Sequence, residues 1–133
     1  MENEQFSLLV VDDNDMNRDM LSRRLRRQGY RVSVAVNGRQ ALEMLRLETY
    51  HLVLLDVMMP EVNGYQVLEQ LKADGRLSDI PVIMTSALDE TDGIERCIAL
   101  GAEAYLVKPF NPVLLKARIG ACLEKRKSLP KQG

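Results

Sequence analysis

Short apolar segments alternate with longer segments of helical periodicity along the whole chain. The apolar segments are rich in Val and Leu and lie at residues 7–11, 31–35, 51–55, 82–85 and 104–107. Runs of this length and composition are typical of strands that are buried on both faces of a parallel sheet. The pattern therefore predicts five parallel strands, each followed by a helix.

The intervening segments repeat apolar residues every three or four positions, which predicts amphipathic helices. These helices span 15–28, 38–47, 64–73 and about 90–100, and the last one starts at Pro112. Asn63 and Asn111 are suited to N-caps, while Gly29 and Gly101 are suited to helix ends. Five strand–helix units predict an α/β fold, a doubly wound (βα)5 sandwich of flavodoxin-like topology with strand order 2-1-3-4-5.

The apolar faces of two helices give a more detailed prediction of the core. In the first helix the apolar side comprises Met16, Met20, Leu21 and Leu25, and in the fourth it comprises Ile94, Cys97 and Ile98. Cys97 and Cys122 both fall on apolar faces, so we expect buried, reduced thiols. Met16 has a second interpretation, because a partly exposed Met near a site could form an adaptable docking surface for a kinase domain.

Composition adds limits to this picture. The chain has 133 residues, 46% hydrophobic residues and a formal net charge of −1. We expect one domain over residues 1–127 and a tail or linker stub over 128–133. No bulk basic charge favours direct binding of nucleic acid, and no apolar stretch approaches the ~20 residues that cross a bilayer. The polar N-terminus shows no signal peptide, so we expect a cytoplasmic protein.

Charged side chains stand at the exits of three predicted strands. Asp12 and Asp13 follow the first strand, Asp56 follows the third, and Lys108 follows the fifth. The carboxyl ends of parallel strands share one edge of the sheet, so these side chains should converge in one pocket. Carboxylates held close together repel one another unless a cation lies between them. The sequence therefore predicts a bound metal ion.

This set of residues suits phosphoryl transfer. Asp56 is the candidate nucleophile, since a carboxylate can attack phosphorus and form an aspartyl phosphate. Mg²⁺ prefers a few carboxylates plus phosphate oxygens, and we expect Asp12, Asp13 and Asp56 to bind it. The backbone carbonyl of Met58 could complete the metal shell. Lys108 would supply a fixed positive charge.

Ser86 lies at the end of the fourth strand, where its hydroxyl could donate a hydrogen bond to a phosphoryl oxygen. Other polar residues have plainer interpretations. Asp15 is expected in the first turn of a helix, and contact with metal-bound water is the alternative. His51 begins the third strand at the opposite end and should be structural or solvated. The arginines at 23–27 are expected on a solvated helix face, with an acidic partner as the minority alternative.

The chain resembles response-regulator receiver domains of two-component signalling over residues 6–124. The resemblance rests on Asp12-Asp13, on Asp56 within Leu-Leu-Asp-Val-Met-Met-Pro, on Gly64, on Pro81-Val-Ile-Met-Thr-Ser-Ala, on Gly101-Ala102 and on Lys108-Pro109-Phe110. It implies that Asp56 accepts a phosphoryl group from a phosphohistidine on a sensor histidine kinase or phosphotransfer protein. It also implies that Asp12 and Asp13 bind Mg²⁺ with help from the Met58 carbonyl.

The resemblance further implies a switch mechanism. Ser86 stands at the family's Ser or Thr position, Tyr105 at its aromatic switch position, and Pro109 at a position that is often cis in the family. Phosphorylation would change the face made by the fourth helix, fifth strand and fifth helix, which would regulate a partner, an attached effector or a homodimer. Such a domain catalyses only its own phosphorylation and dephosphorylation. Met58 and Leu88 flank the expected path of attacking water and are apolar, so we expect slow dephosphorylation.

Two other functions compete with this one. A small Mg²⁺-dependent phosphatase of the haloacid-dehalogenase type also uses an Asp nucleophile, and Asp13-Asn14-Asp15 imitates its spacing. That function would leave Asp56 without the nucleophile's role, and Asn17 occupies a position where that family has Thr or Val. A flavin-binding electron carrier would need a phosphate-binding loop after the first strand. The acidic residues at 12–15 would repel phosphate there.

Overall fold

A computed structural model describes residues 5–59, 61–87 and 91–128. The strands are β1 Ser7–Val11, β2 Arg31–Ala35, β3 Leu52–Asp56, β4 Val82–Ser86 and β5 Ala104–Val107. The helices are α1 Asp15–Arg27, α2 Gly38–Leu47, α3 Gly64–Ala73, α4 Thr91–Ala99 and α5 Pro112–Ser128. All neighbouring strands are parallel, in the order β2-β1-β3-β4-β5. This topology confirms the predicted doubly wound fold.

Two strands differ from their predicted limits. β3 covers Leu52–Asp56 rather than 51–55, although the His51 N–H still donates to the Ser7 carbonyl of β1 at 2.8 Å. β4 runs one residue further than expected and ends with Ser86. Asp56 and Ser86 are therefore the last residues of their strands, and the backbone of each is held by the sheet.

Asparagine side chains cap the N-termini of four helices. Asn14, Asn37 and Asn63 each accept a hydrogen bond from the backbone N–H three residues later, at 2.8 to 3.0 Å. Asn111 accepts hydrogen bonds from the N–H groups of Val113 and Leu114. An N-cap of this kind satisfies a backbone donor that the helix itself leaves free. The predicted caps at Asn63 and Asn111 are confirmed.

Glycine ends two helices in the way the sequence indicates. Gly29 and Gly101 adopt φ values of 97° and 104°, in the left-handed region that side chains with a Cβ rarely adopt. After Gly101, the Ala102 N–H donates to the Cys97 carbonyl, and the Gly101 N–H donates to the Ile98 carbonyl, both at 3.0 Å. This pair of bonds is the Schellman arrangement, which satisfies carbonyls at the end of the helix.

The sheet separates two hydrophobic layers. One layer contains residues of α2, α3 and α4 against one face, including the fully buried Cys97. The other contains Leu21 and Leu25 of α1 with Leu115 and Ile119 of α5. Because both faces of the sheet are covered by these layers, the strands consist of continuous runs of Val and Leu. Among the described residues, no helix is both long and apolar enough to cross a membrane.

Several residues predicted on buried faces, Ile94 among them, are more exposed than expected. Met16 is 81% exposed, Met20 54% and Ile98 49%. α1 begins at the carboxyl edge of the sheet, so its first turns extend past the strands, and Leu21 and Leu25 supply the buried contact instead. Cys122 is only partly buried, unlike Cys97. The predicted tail at 128–133 lies outside the described residues, except that Ser128 ends α5.

Candidate functional site

The carboxyl edge of the sheet brings the three predicted aspartates together. Asp12 follows β1 and Asp56 ends β3, and only 3% and 4% of these residues are exposed. Asp13 is exposed beside them. One carboxylate oxygen from each of the three lies within 4.8 Å of the other two. The convergence predicted from the strand ends is therefore present in the fold.

Lys108 reaches two of these carboxylates from the end of β5. Its Nζ lies 2.8 Å from Asp12 Oδ2 and 3.5 Å from Asp56 Oδ1. The shorter contact is an ion pair with a hydrogen bond, and the longer one is at the limit for such a bond. The Lys108 N–H donates to the Ser86 carbonyl at 2.7 Å, which joins the ends of β4 and β5. The Lys108–Pro109 peptide bond is cis.

Backbone N–H groups orient the two buried carboxylates. The Asn14 N–H donates to Asp12 Oδ1 at 2.9 Å, and the Met58 N–H donates to Asp56 Oδ1 at 3.3 Å. Lys108 therefore approaches the same oxygen of Asp56 that the Met58 N–H contacts. These contacts fix the positions of both carboxylates before any ligand binds, and those to Asp56 oppose the rise of its pKa.

Negative charge is nevertheless in excess at this edge. The pKa of Asp56 is raised from 3.8 to about 6: burial is the largest cause and the charges of Asp12 and Asp13 add to it, while Lys108 and the Met58 N–H oppose the rise. Three carboxylates face one lysine, which leaves two negative charges unbalanced when all are ionised. A divalent cation with a preference for oxygen ligands matches both the charge and the donor atoms. The residues present therefore fit Mg²⁺.

Gly64 has a role at the site that the sequence did not reveal. A Cβ atom at this position would lie 2.3 Å from the Asp56 carbonyl oxygen and 2.7 Å from the Val57 Cα. The Gly64 N–H donates to the Val57 carbonyl at 2.9 Å. The first turn of α3 thus packs directly on the backbone that carries Asp56. The sequence marked Gly64 by its place after an Asn cap and in the resemblance to receiver domains, but neither signal describes this contact.

Arg18 is a second residue that sequence reasoning missed. Its Nη1 donates to the Asp12 carbonyl at 2.9 Å, and its other terminal nitrogen pairs with the Asp15 carboxylate. Only 15% of the Arg18 side chain is exposed, whereas 89% of Asp15 is. Arg18 therefore supports the loop that carries Asp12, and Asp15 lies in the first turn of α1 as expected. The spacing of Asp15 and Arg18 on one helix face was the available signal.

The predicted switch residues lie on neighbouring strands. Ser86 is fully buried at the end of β4, and Tyr105, in β5, is half-buried against the core layer that contains α4. Met58 is 58% exposed beside Asp56. Leu88 lies outside the described residues, so its predicted effect on dephosphorylation is not tested by the structure.

His51 lies at the amino end of β3, away from the site. Its Nδ1 accepts a hydrogen bond from the Ser7 N–H at 2.9 Å, and its ring meets the ring of Phe6 edge to face, with centroids 5.4 Å apart. The structural interpretation of His51 is confirmed, because these contacts join the first residues of β1 to the start of β3.

Comparison with known proteins agrees with this arrangement. A family model described as the response regulator receiver domain matches residues 8–120. A probable transcriptional regulator ycf27 from Porphyra purpurea is 44% identical over 125 residues, covering 94% of this chain and 50% of the relative. The two-component response regulator ORR3 from Oryza sativa subsp. indica is 39% identical over 106 residues, covering 79% of this chain and 81% of the relative.

Solved structures show the same similarity. The receiver domain of a signal transduction histidine kinase from Syntrophus aciditrophicus superposes with a TM-score of 0.86 at 30% identity, covering 96% of this chain and 97% of that one. The chemotaxis protein CheY4 of Vibrio cholerae gives a TM-score of 0.84 at 30% identity, covering 89% and 98%. These matches give no support to the phosphatase alternative.

Proposed function

The chain belongs to the response regulator receiver domains of two-component signalling, and from that premise we propose that Asp56 is its phosphoacceptor. The observation that carries this proposal is the position of Asp56. It is a buried carboxylate at a strand end, with the Lys108 Nζ 3.5 Å away and oxygens of Asp12 and Asp13 within 4.8 Å. A carboxylate in this setting has a nucleophilic oxygen, a fixed cation beside it and donor atoms for a metal.

The proposed reaction forms one bond and breaks one. An oxygen of Asp56 attacks the phosphorus of a phosphohistidine, and the bond from phosphorus to the donor imidazole nitrogen breaks. The electron pair remains on that nitrogen, which takes up a proton. Lys108 lies close enough to neutralise charge that builds up on the phosphoryl oxygens. Positioning and charge stabilisation are the main requirements of such transfer.

Asp12, Asp13 and Asp56 would hold Mg²⁺, with the Met58 carbonyl as a predicted further ligand. The ion would neutralise phosphoryl oxygens and the excess of carboxylate charge during transfer. The chain's own contribution is to fix the ligands in advance. The Asn14 N–H donates to the side-chain oxygen of Asp12, and Arg18 donates to the Asp12 backbone carbonyl. Both bonds hold the loop that carries Asp12.

The output of the reaction is a conformational switch rather than turnover of an external substrate. We propose that the Ser86 hydroxyl donates to a phosphoryl oxygen and that Tyr105 then moves inward. The face of α4, β5 and α5 would change shape and regulate an effector domain, a partner protein or a phosphorylation-dependent homodimer. The chain spans about half the length of the ycf27 relatives, which are named as probable transcriptional regulators. An effector in a longer protein is compatible with that coverage.

The surface around the site supports docking of a phosphodonor protein. Exposed apolar side chains surround the carboxyl edge of the sheet: Met16 is 81% exposed, Met58 58% and Val113 78%. They lie in the first turn of α1, in the loop after β3 and in the first turn of α5. Methionine adapts its shape to different partners, which suits a surface that a histidine kinase or phosphotransfer protein contacts briefly. Cytoplasmic location stays a prediction.

Intact-mass spectrometry after incubation with acetyl phosphate and Mg²⁺ tests the phosphoacceptor. The wild type should gain one phosphoryl adduct that requires Mg²⁺, and Asp56→Asn should gain none. Asp19→Asn is the matched control, because Asp19 is an exposed carboxylate on α1 that pairs with Arg23 at 3.2 Å. An adduct of equal yield on Asp56→Asn would exclude Asp56 as the acceptor.

The lifetime of the phosphoryl group gives a second test. We expect slow dephosphorylation, because the apolar side chain of Met58 cannot orient an attacking water, and the same is predicted for Leu88. Met58→Asn and Met58→Glu should change the decay rate of the adduct several-fold, as measured by mass after removal of acetyl phosphate. A decay rate identical to that of the wild type would count against this role for Met58.

A further inference from the structure

Gly93 in α4 leaves space that two tyrosine hydroxyls use. A Cβ atom at this position would lie 3.0 Å from the hydroxyl oxygen of Tyr65 and 3.9 Å from that of Tyr105. Glycine inside a helix is unfavourable relative to alanine, and at Gly93 the missing Cβ leaves room for these hydroxyls. The two hydroxyls therefore lie against the same point on α4, one from α3 and one from β5.

A second contact fixes Tyr65 against α4. The guanidinium carbon of Arg96 lies 4.0 Å from the centroid of the Tyr65 ring, within the range of a cation–π interaction. Arg96 is three residues after Gly93, so both lie on one side of the helix. Cys97 on the same side is fully buried. Tyr65 thus contacts α4 through its hydroxyl near Gly93 and through its ring face at Arg96.

We propose that Tyr65 is a positioning residue that sets the place of α4 and, through the shared space at Gly93, the balance of the Tyr105 switch. The inference rests on the proposed function, since it assumes that Tyr105 moves when Asp56 is phosphorylated. Tyr65 is half-buried and packs against the same core layer as Tyr105. At the Cβ position of Gly93 the Tyr65 hydroxyl is the close neighbour and the Tyr105 hydroxyl lies at ordinary van der Waals distance, so a group added there would crowd Tyr65 in the arrangement described here.

This arrangement makes the effect of an added methyl group predictable. Ala at position 93 would come within 3.0 Å of the Tyr65 hydroxyl, closer than ordinary van der Waals contact. The Tyr65 ring is held by Arg96 and by the core, so α4 would have to shift by a few tenths of an ångström away from it. The unphosphorylated arrangement would then become less favourable relative to the activated one. A ligand that binds only the activated state would bind more tightly.

A mutant cycle on the full chain tests the proposal with beryllofluoride, a phosphoryl mimic, in the presence of Mg²⁺. Gly93→Ala should lower the apparent dissociation constant about fivefold. The same change in a Tyr65→Phe background should have almost no effect, because the hydroxyl that the methyl group meets is gone. Gly120→Ala is the matched control, since Gly120 is also helical and a Cβ there meets nothing within 4 Å. It should leave the dissociation constant unchanged in both backgrounds.

Tyr65→Phe alone is also measured. This variant keeps the aromatic ring and its contact with Arg96, so we expect it to fold. It should change the dissociation constant for beryllofluoride by less than about twofold, because Gly93 carries no Cβ for the Tyr65 hydroxyl to meet. Thermal unfolding of every variant confirms that each one is folded.

Equal shifts of the dissociation constant for Gly93→Ala in the two backgrounds would overturn the proposal, and so would equal behaviour of Gly93→Ala and Gly120→Ala. Both outcomes presuppose that the wild type binds beryllofluoride. A folded wild type that binds none would instead overturn the proposed function at Asp56, and the inference with it.

Discussion

The polar groups at the two edges of the sheet differ in how completely their hydrogen bonds and charges are balanced. At the amino edge, His51 accepts the Ser7 N–H and the Tyr50 hydroxyl donates to Glu48 at 2.9 Å, so each group has a complementary partner. At the carboxyl edge, three carboxylates lie close together, Lys108 contacts two of them, and the pKa of buried Asp56 rises to about 6. The paired groups at the amino edge stabilise the fold. The carboxyl edge keeps an electrostatic imbalance that a bound cation would remove.

The largest expected effect comes from disturbing the backbone under the carboxyl edge. In Gly64→Ala the new methyl group would overlap the Asp56 carbonyl oxygen, which lies 2.3 Å from the Cβ position. Overpacking against backbone should lower the free energy of unfolding by about 3 kcal/mol. Displacement of Asp56 should slow acetyl phosphate labelling by about 100-fold. Urea unfolding and labelling kinetics measure the two effects.

Gly75→Ala is the control for that substitution, because a Cβ at Gly75 meets nothing within 4 Å. It should label at the wild-type rate. If Gly64→Ala labelled as fast as Gly75→Ala, the packing of α3 on the site would have no bearing on phosphorylation.

The second effect is an increase in the free energy of unfolding, whereas most substitutions of buried residues lower it. Without metal, the native state keeps the Asp56 proton up to about pH 6, whereas the unfolded state loses it near 3.8. Native protein binds more protons between these values, so stability falls as pH rises through the window. Asp56→Asn removes this cost and should raise the unfolding free energy by roughly 2 kcal/mol at pH 7.5, with little change below pH 4.

Urea unfolding in EDTA at both pH values measures this difference, with Asp19→Asn as an exposed control. Mg²⁺ should stabilise the wild type and narrow the gap, because the ion binds the native carboxylates. Equal stabilisation of Asp56→Asn at the two pH values would show that burial of the charge is not its source.

The smallest effect is expected at the amino edge. His51→Ala leaves the Ser7 N–H without its acceptor and removes the contact with Phe6, which should cost about 1–2 kcal/mol of unfolding free energy. Labelling of Asp56 should be unchanged, since His51 lies at the other end of β3. His51→Gln, which keeps an acceptor, should lose less stability. Slower labelling in a folded His51→Ala would break the distinction between the two edges.

Local patterns in the sequence were enough to predict the fold and the composition of the site. Continuous Val and Leu runs indicated buried strands, Asn63 and Asn111 indicated helix starts, and Gly101 indicated a helix end. The order of Asp12, Asp56 and Lys108 at strand ends then placed them together, because parallel topology leaves only one edge for them. Each of these signals lies within a few residues of the feature that it predicts.

The missed features depend on contacts between distant segments. Met16 and Met20 share the helical period of Leu21 and Leu25, but periodicity does not show where the sheet beneath α1 ends. The space at Gly64 is defined by the backbone of Asp56, which no local pattern describes. The spacing of Asp15 and Arg18 indicated a contact within α1, but it did not indicate the bond from Arg18 to the Asp12 carbonyl.

Ser86 combines a group that is proposed to move with a group that is fixed. Its carbonyl accepts the Lys108 N–H at 2.7 Å in the last rung between β4 and β5, while its hydroxyl is the proposed partner of the phosphoryl group. Rotation of one side chain can therefore start the signal without breaking the sheet. The Lys108 amide should stay slow to exchange with deuterium in both states. The proposed motion would then begin at the Ser86 side chain, while the backbone bond between β4 and β5 stays in place.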